Sequence, residues 1–355
     1  MTTRKKSGVY SPVSLAAIDL IATQCANAPR LLVAYLVLAR FTGMCAVGPH
    51  APNMVTGAGA TAVANAMKMR WERANELVKK LLALGIIRDA EKGIAVGKSS
   101  ARYVMQYEGD VDLPHALIDG LNGVAGITRL LAADDKQPPQ TITAAVVALM
   151  HCYRLHDMTQ WGGVCPQAVH TQWVIRSVEP EGRGFKVQAN RATTGSLESG
   201  EDFAEVNSHP SGSPAPNATT AMPALAEGFR LLCASGLIYE TVTLFDDQQQ
   251  PILPVRINDA HAALSESEQS YIEAIPGAGF YTHRDNSERK REGVHFLLPF
   301  DPAKRGCVLV GVMRLRFRCC DPATAKGLER DALALKTVKN RLVELDMVDD
   351  LELAA

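Results

Sequence analysis

The sequence predicts an α+β fold rich in helix, and three observations predict it. Ala, Leu and Val are plentiful while aromatics make up only 6% of the 355 residues, a composition that favours helix packed on helix. Between Ala60 and Tyr107 a helical stretch gives way to short extended runs separated by turn residues. The heptad Leu81–Ile87 (LLALGII) then recurs as Leu232–Ile238 (LCASGLI), a helix end, a turn residue and the start of a strand. One module used at least twice explains that recurrence economically. A poorer third copy is Leu342–Val348 (LVELDMV).

The elements follow in order. After a polar basic start, two helical patterns occupy the stretch from Leu15, and Leu31, Val33, Tyr35, Leu36 and Leu38 make the second apolar almost all round, as in a helix buried on most sides. Gly43, Gly48, Pro49 and Pro52 interrupt it. Helical composition resumes from Ala60 to Leu84 and stops at Gly85, a residue suited to the left-handed position that ends helices. Ile86–Arg88, Ile94–Val96 and Arg102–Tyr107 read as three extended runs, with Glu91-Lys92-Gly93 as the turn after the first. Residues 111–140 read as a helical connector and a linker carrying Pro138-Pro139.

A second apolar helix spans about Thr141 to Asp157. Residues 179–223, rich in Gly, Ser, Pro, Asn and Thr, read as a long mobile insert, with too little apolar surface to pack around Asn207–Pro216. Helix returns over Leu225–Ala234 and a strand over Glu240–Phe245. The last third carries a helix near Ser265–Ala274, extended runs at Val294–Leu298 and Cys307–Phe317, and two closing helices between Ala323 and Leu345. Four regions result: residues 10–110, the connector 111–140, a region 141–250 holding the insert, and residues 251–355.

In the helix after Trp71, Ala74, Leu77, Val78, Leu81 and Leu82 recur at three- and four-residue spacing and face a core, leaving Glu72, Arg73, Asn75, Glu76, Lys79 and Lys80 outward. From Lys68 to Lys80 five bases (Lys68, Arg70, Arg73, Lys79, Lys80) stand against Glu72 and Glu76. Arg and Asn carry the forked groups that read guanine and adenine edges in the major groove, and Lys suits phosphate.

The segment Ala60–Leu82 with the hairpin after it resembles the core of bacterial winged helix-turn-helix DNA-binding proteins, over about a quarter of the chain. The resemblance implies a short helix, a tight turn, a recognition helix at 71–84 and a β-hairpin wing at 86–107. On that reading the DNA-binding residues are Lys68, Arg70, Arg73, Asn75, Lys79 and Lys80, with Lys92, Lys98 and Arg102 on the wing. The fold class is then a winged helix-turn-helix domain followed by one or two further winged-helix-like domains, at 141–245 and 323–348. Winged helices also serve as docking modules for other proteins, and an amphipathic helix with a solvated charged face needs no partner at all.

The other modules are weaker readers. The helix before Gly236 offers only Arg230, opposed by Glu227, which fits packing or dimerisation better. Near the end, Lys336, Lys339, Asn340 and Arg341 lie opposite an apolar stripe, but Asp349-Asp350-Leu351-Glu352 follows where a basic wing would be. In a strand, Arg314, Arg316 and Arg318 would share one face. Such a row suits a phosphate backbone, and it is equally how an edge strand resists aggregation.

Composition bounds the remaining classes. The formal charge is −1, from 37 Lys and Arg against 38 Asp and Glu, so any basic surface is local. No secretory signal or membrane span is expected, and the eight scattered cysteines read as reduced thiols, so the expected compartment is the cytoplasm. No phosphate loop, dinucleotide fingerprint, nucleophile elbow or paired-histidine zinc motif occurs, and no catalytic residue is expected. Gly57–Thr61 is glycine-rich but lacks the phosphate-loop lysine. Cys152, His156, Cys165 and His170 match no zinc-ligand spacing, so no metal and no cofactor is expected. The sequence reading is therefore a non-enzymatic, sequence-specific double-stranded DNA-binding protein acting as a homodimer, primarily a transcriptional regulator. Its alternatives are a replication initiator of a mobile element and a protein-docking assembly factor.

Overall fold

The computed structural model describes residues 10–25, 28–44, 54–91, 95–96, 99–100, 102–107, 109–120, 125–133, 137–157, 163–164, 170–182, 184–191, 227–248, 251–255, 279–280 and 294–317. The architecture is mixed α+β and divides into two compact units. The first is drawn from Met1–Arg154, Pro223–Leu237 and Phe317–Cys320, the second from Leu155–Met222, Ile238–Arg316 and Asp321–Ala355. Among the described residues no helix is long and apolar enough to cross a membrane.

In the first unit, β1 (Tyr10–Val13) leads into α1 (Leu15–Gln24) and α2 (Ala28–Arg40). Every residue of α2 from Ala28 to Ala39 except Arg30 is buried, as a helix apolar all round must be. It packs against α1 and the elements that follow. Next come β2 (Thr42–Met44), β3 (Met54–Thr56), α3 (Ala60–Met67) and α4 (Trp71–Ala83), then β4 (Ile87–Asp89), β5 (Ala95–Val96), β6 (Ser99–Ser100) and β7 (Tyr103–Met105). Strands β2-β3-β7-β4 form one antiparallel sheet in that order, and β5 pairs β6 as a separate hairpin. Gly43, read as a helix breaker, lies inside β2 and pairs with Val55.

The stretch read as a helical connector opens as β8 (Val111–Pro114), antiparallel to β1. Val111 and Leu113 are buried and Asp112 exposed, so a two-residue period decides the segment. After α5 (His115–Asp119) a 3-10 helix, Ile127–Ala133, precedes α6 (Pro139–Arg154). A further helix, α7 (227–234), lies on α6. A Cβ at Gly228 would stand 2.7 Å from the Ala145 nitrogen, so only glycine permits that approach. Thr141 Oγ1 donates to Glu227 Oε2 at 3.1 Å across the same contact.

The recurring heptad ends its helix identically in both places. Gly85 and Gly236 have φ of +67° and +68°. In the first copy Leu84 N–H donates to Lys80 O (2.9 Å), Gly85 N–H to Leu82 O (3.0 Å) and Ile86 N–H to Leu81 O (3.0 Å). In the second, Ser235, Gly236 and Leu237 donate to Leu231 (2.8 Å), Cys233 (2.9 Å) and Leu232 (3.0 Å) at the same register. Each is a Schellman end, with the apolar residue after the glycine buried. The sequels differ: β4 is three residues long, whereas the strand after Leu237 is eight.

The second unit holds β9 (His156–Asp157), β10 (Gly163–Val164), β11 (His170–Glu181), β12 (Gly184–Arg191), β13 (Ile238–Phe245), β14 (Pro251–Pro254), β15 (Gly279–Phe280), β16 (Val294–Leu298) and β17 (Val308–Leu315). All belong to one antiparallel sheet, ordered β14-β13-β17-β11-β12-β16-β15, with β10 joining β17 and β9 joining β10. Trp173, Val187, Val242, Leu244, Phe296 and Leu298 belong to its buried core, and within it Trp173 Nε1 donates to the buried Glu240 Oε1 at 2.9 Å.

The first part of the stretch read as a mobile insert is a hairpin. Glu179–Glu181 and Gly184–Arg191 are paired strands, closed by Gly182 at φ +59° and by the Lys186–Glu179 ion pair at 3.4 Å. Val187 and Ala189 are fully buried there, enough apolar surface on alternate residues to hold the hairpin. The remainder of the insert, the helix near Ser265–Ala274 and the closing helices at 323–348 lie outside the described residues.

Candidate nucleic-acid interface

The candidate surface is built on α3, the turn Lys68–Arg70 and α4. Helix α3 ends with Lys68 in the left-handed region (φ 50°, ψ 45°), its N–H directed at Ala64 O and Asn65 O, and Met69 N–H closes the turn on Ala64 O at 3.0 Å. Lysine has a Cβ to accommodate there, so this turn is held by its surroundings rather than by residue preference. Arg70 caps α4 in extended conformation, without a side-chain hydrogen bond to the helix.

Ala74, Leu77, Val78 and Leu81 are the buried stripe of α4. Opposite them Arg73, Glu76, Lys79 and Lys80 are exposed, as are Lys68 and Arg70 on the turn, while Asn75 is half-buried. Trp71 is 51% exposed at the start of the helix, a large apolar group left outside the core. Six of the sequence-predicted bases and amides thus fall on one continuous helix–turn–helix segment.

The strand side is less complete. Arg102 is exposed just before β7, but its side chain lies over Gly59 at the start of α3 rather than at a hairpin tip. Lys92 and Lys98 lie outside the described residues, as do Arg318, Lys336, Lys339, Asn340 and Arg341.

Arg314 requires a correction. Strand β17 lies between β13 and β11, not at an edge, and Arg314 is 1% exposed. Neither a phosphate-facing row nor a solvated edge describes it, because the strand is interior to the sheet and the Arg314 side chain is covered. Arg316, just past the strand, is exposed.

Two clefts adjoin α3 and α4, and both are lined by Ala66, Lys68, Ala125 and Thr128. The wider, about 950 Å³, is lined by Gly57, Gly59, Asn65, Arg102 and Asp119 among others. Its carboxylate is already engaged: Arg40 Nε and Nη2 donate to Asp119 Oδ2 at 2.9 and 2.8 Å, with the same guanidinium 5.3 Å from the Phe41 ring centroid. The narrower, about 690 Å³, is lined by Arg30, Lys68, Arg73, Lys80 and Arg129, with Glu76 as its carboxylate.

Arg30 and Arg129 were not legible as site residues. Arg129 stands in the 3-10 helix between the fully buried Ile127 and Leu130, a segment whose sequence reads only as connector. Nothing local marks it.

Among the described residues no group of three or more His, Cys, Asp or Glu could hold a metal ion. Cys152 is fully buried in α6, and that burial, then the neighbouring Cys233, pushes its thiol far above the ordinary range. Cys165 and the side chains of His156 and His170 lie outside the described residues. No protein-family model, no curated protein and no solved structure matches this chain.

Proposed function

We propose that this protein binds double-stranded DNA in a sequence-specific manner, with α4 in the major groove and the β4–β7 strands as a wing, and that it acts as a transcriptional regulator. The observation that carries this reading is the division of α4 into a buried apolar stripe and an exposed face bearing Arg73, Lys79 and Lys80, continued by Lys68 and Arg70 on the turn. An α-helix with its side chains is about 10–12 Å across and the major groove about 12 Å wide, so α4 has the dimensions to enter it. The order α2, β3, α3, α4, β4, β7, with β7 between β3 and β4, supports a winged-helix domain as the scaffold. The role is recognition rather than catalysis. One recognition helix reads few base pairs, so the protein acts as a homodimer on a site with two-fold symmetry, its half-sites about 34 Å or a multiple apart.

Selection from random duplexes followed by gel-shift titration tests this. A discrete, two-fold symmetric consensus is expected, and Arg73→Ala with Lys79→Ala should weaken binding to it by more than tenfold. Absence of any complex at low salt, or wild-type affinity in the double variant, would overturn the reading. Regulator separates from replication initiator by where the consensus lies, at promoters or in iterated origin repeats.

A further inference from the structure

We infer that Arg30 and Arg129, from outside the helix–turn–helix, complete a clamp for one sugar–phosphate backbone of the duplex in the narrower cleft beside α4. The inference rests on the DNA-binding reading above and extends it to a second part of the chain. Five cations and one carboxylate line that cleft. Positive charge gathered around a recess attracts a polyanion.

The geometry selects the backbone rather than base edges. A helix filling the major groove reads bases with the face that enters it and leaves the two backbones running along its flanks. The cleft lies on one flank, where Arg73, Glu76, Leu77 and Lys80 recur at helical spacing. From Arg73 to Lys80 is about 10 Å along the helix, at 1.5 Å per residue.

The far wall is rigid where it needs to be. Ile127 and Leu130 are fully buried on either side of Arg129, and its N–H donates to Gly126 O at 3.1 Å. A Cβ at Gly126 would stand 2.1 Å from Leu117 O, so this turn is seated directly on α5. Arg30 is the sole residue of α2 between Ala28 and Ala39 that is not buried. Both arginines are therefore offered to the cleft by elements that cannot easily withdraw them.

Fluorescence-anisotropy titration of the full chain with a labelled random duplex, between roughly 50 and 200 mM salt, tests the clamp. Each phosphate contact contributes about 0.9 to the slope of log affinity against log salt. Arg129→Gln and Arg30→Gln are each expected to flatten the slope by about 0.9, and together by about 1.8. Arg154→Gln, an exposed arginine at the end of α6, should leave it unchanged. A thermal melt of each variant checks folding, and if Arg30→Gln unfolds, Arg129→Gln alone decides. A folded Arg129→Gln variant with the wild-type slope, while Arg73→Ala still weakens binding, sinks the clamp and spares the DNA reading; an acidic protein segment would then be the occupant to seek. No wild-type binding at the lowest salt sinks both.

Discussion

Lys68, Gly85 and Gly236 end α3, α4 and α7 with positive φ, and they are not equivalent. Gly85 and Gly236 occupy the left-handed region without cost, whereas Lys68 occupies it with a side chain. A Cβ added at Gly85 would meet nothing within 4 Å, so Gly85→Ala isolates the backbone penalty, about 1 kcal/mol. Lys68→Gly works in the opposite direction: about 1 kcal/mol of strain is relieved, partly offset by the freer unfolded chain, for a net gain of about 0.5 kcal/mol. Equilibrium unfolding in urea should show the two midpoints moving to opposite sides of wild type. Equal downward shifts would mean that Lys68 is held by side-chain contacts that outweigh the strain. The same Lys68→Gly variant should bind DNA less tightly despite its stability, because a turn cation is gone.

At the scale of elements, what the sequence made legible is what depends on local spacing. The stripe Ala74, Leu77, Val78 and Leu81 could be read directly, because helical periodicity is a property of neighbours in sequence, and the exposed bases followed from it. The β16 strand was legible over Val294–Leu298 for the same reason. Strand β17 was legible as a strand but not in its place: it pairs with β13 on one side and with β11 and β10 on the other, and inside that sheet Arg314 is buried. Arg30 and Arg129 meet the α4 cations from more than 40 residues away in the chain, with no local period to announce them. The consequence for β17 is testable. Arg314→Ala should cost about 3 kcal/mol, since it removes a buried side chain and abandons the groups around it. Arg316→Ala, exposed one turn of the pleat further on, should stay within about 0.5 kcal/mol. Neither should alter the salt dependence of DNA binding. A flattened slope in a folded Arg314→Ala variant would return that residue to the interface.

At the scale of the whole molecule, the chain returns to finish what its first part begins. The first unit includes Pro223–Leu237 and Phe317–Cys320, although α6 ends at Arg154. Helix α7 brings Phe229 and Leu232, 4% and 0% exposed, and Tyr153 on α6 donates its hydroxyl to Phe317 O. Burying two such side chains contributes about 3–6 kcal/mol, against a total of about 5–15 kcal/mol for a typical domain. A fragment ending at Arg154 carries the entire helix–turn–helix, the β4–β7 strands and the Arg30–Arg129 cleft, yet lacks that cover on α6. It is expected to bind a hydrophobic dye and to melt without a cooperative transition, and to lose DNA affinity even though every proposed contact residue is present. Gly228→Ala in the full chain should show a milder form of the same defect, about 1–3 kcal/mol, because its Cβ forces α7 away from Ala145. If the fragment instead melts cooperatively and binds duplex with the full chain's salt slope, the returning segments are accessories. If it fails while Arg73→Ala leaves the full chain folded, then recognition is written in α4 but its stability is supplied by residues more than 140 positions further along.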